Sequence, residues 1–283
     1  MKDTGTELIA ELSGVEVFRY VYRPDTPVSE SPKPYFHPIR TLASDVVTAY
    51  RPHDHRWHKG IQMTVSHLSG ENFWGGGSYV HPDGYVDLPN NGTMRHTGFD
   101  ELGPDGFTET LAWHTQAGEH WVDERREIAV RQLDASTWLM SFHTAIRNVH
   151  TGALRFGSPT THGRPMAGYS GLFWRGPRAF TDGEVLADAD RSGPRLMGEQ
   201  SAWLAYAGRH DEVDRCSTLL FVAAPGTTWF VRTTPFPAVN PSLAFFEEVT
   251  LPPDETLSLA YRIVVADGAW GRERIESCLA ELP

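Results

Sequence analysis

Apolar residues recur at every second position along much of this chain, and Pro and Gly interrupt each run at short intervals. A period of two is the mark of strands, because alternate side chains of an extended backbone face opposite sides of a sheet. Residues 15–22 (VEVFRYVY) and 60–68 (GIQMTVSHL) read this way, the second with Ile61, Met63, Val65 and His67 on one face. Residues 137–147 place Trp138, Met140, Phe142 and Ile146 on one face, with Ser141, His143 and Arg147 on the other. Residues 256–265 align Leu257, Leu259, Tyr261, Ile263 and Val265. Residues 217–223 and 228–233 read as a hairpin around Pro225-Gly226. Further turn signals are Pro82-Asp83-Gly84, Asn91-Gly92, Gly103-Pro104-Asp105-Gly106 and Pro252-Pro253-Asp254.

One helix is expected, at the C-terminus, where Ile275, Cys278, Leu279 and Leu282 fall at i, i+3, i+4 and i+7. The polar, Gly-containing residues 182–200 read as a long loop. Many strands with almost no helix imply an all-β sandwich or barrel, expected here as one domain over residues 1–283. No repeat or change of composition suggests a boundary.

At 40% hydrophobic residues the chain is too apolar for disorder. Its net charge of −11 argues against nucleic acid and against an anionic membrane surface. No apolar run approaches the roughly twenty residues needed to span a bilayer as a helix. The segment from Met1 to Glu11 lacks an apolar signal core, so a cytoplasmic location is expected. Cys216 and Cys278 sit at no metal-ligand spacing and read as reduced thiols.

The densest chemistry is residues 51–58, Arg-Pro-His-Asp-His-Arg-Trp-His, with His37 and Arg40 upstream and Trp74-Gly75-Gly76-Gly77 downstream. Two functional readings fit, beside a solvated loop without a ligand. His37, His53, His55 and His58 could hold a divalent metal, completed by His67 or Glu71, although the spacing from His55 to His58 breaks strand phase and demands a turn. Alternatively the imidazoles and Asp54 are acid–base groups for a polyhydroxylated ligand. A second cluster joins His162 and Arg164 to Tyr169. Arg232 lies in opposite phase to Trp229 and Val231, on the wet face of its strand. Trp113, Trp121, Trp138, Trp203 and Trp229 read as core.

The runs Lys33-Pro-Tyr-Phe-His-Pro-Ile-Arg40, Arg51-Pro-His-Asp-His-Arg-Trp-His-Lys-Gly60 and Asn72-Phe-Trp-Gly75 resemble a bacterial family labelled PmoA-like, or "methane oxygenase". So do His162-Gly-Arg164, Ala167-Gly-Tyr-Ser-Gly-Leu172 and Tyr261-Arg-Ile-Val-Val-Ala-Asp-Gly268. A methane oxygenase subunit is a membrane protein, so the resemblance implies the family and not the activity in its label. Residues Asn148 to Gly171 are also similar to the stretch of aldose 1-epimerases that ends in their catalytic His, and Thr228 to Val264 to their closing strands. That second resemblance implies a galactose-mutarotase-like supersandwich and puts His162 near the epimerase general acid. The general-base Glu would fall near Arg232, and Glu247 and Glu248 come too late in the chain to replace it.

The expectation that follows is a carbohydrate-active protein binding a sugar or sugar acid, with epimerisation or elimination by His-mediated proton transfer. His55, His58 and His162 would be acid–base groups, and Asp54 would orient a His. Arg51, Arg164 and Arg232 would hold substrate oxygens, and Trp57, Trp74 and Tyr169 would stack on the ring. The alternatives are a metal-dependent enzyme built on the His37 to His58 cluster, and a non-catalytic carbohydrate-binding or regulatory module.

Overall fold

In the computed structural model, which describes residues 1–188 and 192–282, the alternating segments become two eight-stranded antiparallel sheets. The first runs, in spatial order, Lys2–Asp3, Glu7–Leu12, Val15–Val21, Tyr35–Ile39, Ile61–Thr64, Gly171–Arg175, Ala238–Ser242 and Thr228–Arg232. The second runs Glu184–Ala187, Trp203–Arg209, Cys216–Val222, Thr256–Asp267, Thr137–Asn148, His120–Gln132, Gly106–His114 and Thr93–Leu102. Among the described residues no helix is long and apolar enough to cross a membrane.

Each sheet turns one face inward, and the two faces share a single apolar core. Phe18 meets Trp138 with ring centroids 6.2 Å apart, and Tyr20 stacks on Phe107 at 4.9 Å. Trp138, Met140, Phe142 and Ile146 are all buried there, as their spacing predicts. Trp113, Trp138 and Trp229 are core residues and Trp203 packs in a second apolar cluster, whereas Trp121 is only half-buried. The C-terminal helix, Arg272–Glu281, lays Ile275 and Cys278 over Trp203, Leu220, Val264 and Ala266 on the outer face of the second sheet.

Two segments depart from expectation. The strands around Pro225-Gly226 do not form a hairpin: Cys216–Val222 pairs within the second sheet, whereas Thr228–Arg232 pairs with Ala238–Ser242 in the first. The turn carries the chain from one sheet to the other. The segment 182–200 is not all loop, since Glu184–Ala187 forms the edge strand on Trp203–Arg209 and Gly193–Leu196 a 3-10 turn; residues 189–191 lie outside the described residues.

The core also contains a charged network that its polar sequence disguises. Strand His120–Gln132 alternates strictly, and its inward face carries Glu124 and Arg126 between Val122 and Ile128. Arg126 Nε donates to Glu124 Oε1 at 2.8 Å and Nη1 to the Tyr20 hydroxyl at 2.7 Å. Tyr20 donates in turn to Glu109, whose other oxygen meets His96 Nδ1 at 2.7 Å. Trp113 Nε1 and Thr144 Oγ1 complete the shell of Glu124, each at 2.8 Å. Removing one partner of such a set strands buried charge. Arg126→Met is therefore expected to cost on the order of 3 kcal/mol in urea-unfolding stability; a loss within about 0.5 kcal/mol would contradict the role given to this network.

Candidate functional site

The outer face of the first sheet forms the floor of a cavity of about 260 Å³. Period-two alternation decides what reaches it. On strand Gly171–Arg175, Leu172 and Trp174 point into the core, so Phe173 and Arg175 point out. On Thr228–Arg232, Trp229 and Val231 point in, so Phe230 and Arg232 point out. Ala238 pairs with Arg175 on one side and Arg232 on the other, so a methyl separates the two arginines across three adjacent strands. Phe236, Trp74 and Phe245 join Phe173 and Phe230 in an apolar cluster over this floor.

Loops supply the walls. His55, Trp57 and His58 come from the 51–58 loop, Trp74, Gly75 and Gly77 from the glycine run, Tyr85 from a two-stranded hairpin, and Arg164 and Tyr169 from the 158–170 segment. The glycines are required by close approach. Gly75 and Gly76 have φ of +103° and +69°, and a Cβ on either would stand 2.6 Å from Trp57.

A buried ionic clamp fixes these loops. Glu30, nearly inaccessible, accepts from Arg51 Nη2 at 2.5 Å and pairs with Lys59 Nζ at 2.9 Å. Burial opposes its charge, but these partners hold the Glu30 carboxyl below the usual range. Lys33 is caged by the carbonyls of Glu30, Ser31 and Trp74, at 3.3, 2.6 and 3.0 Å. Arg51, expected to grip a ligand, instead ties its own loop to residue 30 and lies outside the cavity lining.

His55 and His58 stack at 4.7 Å with ring planes 19° apart, but their surroundings differ. His58 is buried, and its Nδ1 lies 3.0 Å from Arg175 Nη1. A guanidinium can only donate, so Nδ1 accepts and the ring proton sits on Nε2. Burial, the neighbouring His55 and the Arg175 charge push the His58 pKa far down, which makes it a fixed neutral N–H donor. His55 has its Nδ1 3.2 Å from Asp54 Oδ2, within ion-pair distance but without the alignment of a hydrogen bond. The carboxylate favours the proton on Nδ1 and leaves the Nε2 lone pair open. Burial lowers the His55 pKa, and the opposing pull of Asp54 does not restore it.

Three arginines stand around this pair. Arg175 is fully buried, with its guanidinium 3.7 Å over the Phe236 ring, and its Nε and Nη2 make no hydrogen bond. Burial lowers its pKa to about 10, so it stays cationic at neutral pH. Arg232 lies over Phe230 at 5.3 Å and over Phe236 at 5.8 Å. Arg164 donates to the Tyr85 hydroxyl, which also meets the Tyr169 hydroxyl at 2.5 Å. No carboxylate lines the cavity among the described residues.

The structure thus brings His55, His58, Trp57, Trp74, Arg164, Tyr169 and Arg232 together, with Asp54 behind His55. It does not bring His162. That ring stacks on His67 at 3.9 Å, with Nε2 3.7 Å from Glu248, in a separate cluster outside the cavity lining. The expected metal candidates also diverge: His37 stacks on Tyr50 and bonds Thr48, His53 is exposed, and the Nδ1 of His58 is occupied by Arg175. Among the described residues no three His, Cys, Asp or Glu converge on a metal position. Arg175, Phe173, Phe230, Phe236 and Tyr85 were not anticipated. Only strand phase could have signalled the first three.

A model described as "Family of unknown function (DUF6807)" matches residues 8–280. No curated protein matches. Among solved structures, a chain named "Heparinase III-BT4657 gene product, Methylated Lysines" is similar at 10% identity and a TM-score of 0.32. That match covers 88% of this chain and 32% of the other, a likeness that carries no functional argument.

Two measurements check this geometry. Imidazole ¹⁵N shifts should show His58 protonated at Nε2 only and still neutral where a free imidazole takes up its proton; Arg175→Gln should mix the tautomers and Arg175→Lys should largely retain the Nε2–H form. A His58 signal with the proton on Nδ1 would refute the assignment. His37 and His67 are driven by burial from 6.5 to about 4, so the unfolded chain takes up protons first as pH falls. Stability is expected to be full above 6.5 and to decline toward 4, seen as a lower thermal midpoint at about pH 5 than at about pH 7.5.

Proposed function

The chain belongs to the DUF6807 family of unknown function, and from that premise we propose that it is a carbohydrate-active protein that moves a proton on a bound sugar or sugar acid. The observation that carries this reading is the pairing of two imidazoles in opposite states within one aromatic cavity. His55 offers a lone pair at Nε2, and His58 offers a fixed N–H. The aromatic walls suit the apolar faces of a sugar ring, and the arginines suit its oxygens.

The chemistry these groups support begins at a carbon next to a carbonyl or carboxyl group. His55 Nε2 takes the proton, and the electron pair moves into the adjacent oxygen. Arg232 and the His58 Nε2–H stabilise that oxyanion, because donors already in place need no reorganisation. If the planar intermediate turns its other face to His55 before the same imidazolium returns the proton, the centre is inverted. Expelling a β-oxygen instead eliminates it, with the imidazolium proton passing to the leaving oxygen. Neither outcome consumes another reagent. His162 has no part in this scheme.

Incubation in deuterium oxide with a panel of aldoses and uronic acids tests the proposal. At least one sugar should acquire deuterium at carbon in the presence of the wild-type protein. His55→Gln should slow that uptake by about a hundredfold or more, while its circular dichroism stays unchanged. The rate should rise with pH through the lowered His55 pKa, below 6.5, and be level at neutrality, because the deprotonated ring is the active form. A sugar that binds and is recovered unlabelled would instead identify a non-catalytic binding module.

A further inference from the structure

We infer that the cavity is built for a sugar bearing a carboxylate, held between the guanidinium groups of Arg232 and Arg164, and that a neutral sugar is the wrong ligand. This rests on the reading of the cavity as a carbohydrate site and narrows it to one substrate class.

The inference comes from unbalanced charge. The chain has 36 acidic residues against 25 Lys and Arg, a net charge of −11. Other concavities of this surface carry carboxylates, such as Glu101, Asp105 and Glu127 in one and Asp123 and Glu124 in another. The cavity lining instead has two arginines and no carboxylate among the described residues. Outside the lining, Arg175 is held by His58 and by the Phe236 ring, and the clamp groups nearby are matched. Glu30 takes Arg51 and Lys59, Lys33 has three carbonyls, and Asp54 takes Arg178 at 2.8 Å beside His55. Arg232 is half-buried on its strand, with two aromatic rings as its contacts and no acidic side chain opposite. Arg164 makes one hydrogen bond, to a phenol that shares its second contact with Tyr169. Cations partly withdrawn from water and left without a counter-charge attract an anion that completes them.

Dimensions and chemistry narrow the anion. The volume of about 260 Å³ lies below the roughly 300–1,000 Å³ of drug-sized sites and suits a single sugar ring. A carboxylate presents two coplanar oxygens that match a guanidinium fork. It also activates its neighbouring C–H bond, and removing that proton turns the monoanion into an enediolate dianion. Two guanidiniums match the dianion better than the ground state, which is the condition for stabilising the reaction rather than merely the complex. A phosphate elsewhere on the sugar would occupy the arginines without activating any carbon for His55.

Calorimetric titration at low salt with glucuronate, galacturonate and mannuronate, against glucose, galactose, mannose and glucose 6-phosphate, decides the matter. At least one uronate should bind about tenfold or more tightly than its neutral hexose and than the sugar phosphate. Arg232→Gln should remove about tenfold of that affinity, and Arg164→Gln, a change at the cavity rim outside the sheet, should act in the same direction. Equal affinity for hexose and uronate, a preference for the phosphate, or uronate binding indifferent to both substitutions would overturn the inference while leaving carbohydrate binding intact. Failure of every sugar to bind, together with no deuterium uptake, would remove the carbohydrate reading and this inference with it.

Discussion

A single buried carboxylate organises the functional end of this molecule. Glu30 sits in a 3-10 turn between the third and fourth strands of the first sheet, yet its two oxygens bind residues from the far side of the 51–58 loop, Arg51 and Lys59. The loop is thereby pinned at both ends by one side chain. Lys33 adds a second tie, joining the carbonyls around residue 30 to that of Trp74, and Gly76 N–H donates to the Ser29 carbonyl at 2.8 Å. Three stretches distant in sequence are thereby tied together. A loop rich in histidine would otherwise be expected to solvate freely, because ordering it costs about 1–2 kcal/mol per residue in backbone entropy alone.

Above this clamp, the first sheet uses its two faces for different ends. Its inward residues, Leu172, Trp174, Trp229 and Val231, contribute to the common core. Of its outward residues, Phe173, Phe230 and Arg232 line the cavity, and Arg175 lies buried against His58 and Phe236. A one-residue slip in either strand would exchange its inward and outward residues and place its guanidinium in the core. The floor is thus as strongly specified as the core. Phe236 lies against both arginines, and this aromatic face partly replaces the water each guanidinium gives up.

Much of the fold was legible because burial in a sandwich leaves a period-two record. The strands at 137–147 and 256–265 appear almost where the alternation puts them, and the C-terminal helix where its spacing does. What alternation lacks is partnership. Pro225-Gly226 announces a turn, but a turn that stays in one sheet and a turn that changes sheets use the same residues. Nothing in the sequence marks Glu124 and Arg126 as buried, because their compensating groups, Tyr20, Trp113 and Thr144, come from other strands. The same limitation applies to the site. The density of histidine and arginine at 51–58 pointed to the correct region, yet Arg51 was given to a ligand because Glu30, 21 positions upstream, was invisible as its partner. His162 was placed with the other histidines by resemblance, whereas the strand pair Gly157–His67 holds it beside His67 and Glu248. Arg175 was missed because Gly-Leu-Phe-Trp-Arg reads as a buried strand, which it is.

The charge state of His55 depends on how Asp54 is shared. A carboxylate that served His55 alone would raise the imidazole pKa and hold it as imidazolium, useless as a base. Here Asp54 also accepts from Arg178 at 2.8 Å and stands 3.9 Å from Arg175. Part of its field is spent on two guanidiniums, and the remainder falls short of the effect of burial, so His55 stays neutral. Arg175 acts in the same direction on His58, whose Nδ1 it occupies. One buried arginine thus disfavours protonation of both rings, and its own contact with His58 specifies the tautomer of one of them. The opposite tautomers of two stacked histidines follow from a cation on the Nδ1 of one and a carboxylate beside the Nδ1 of the other.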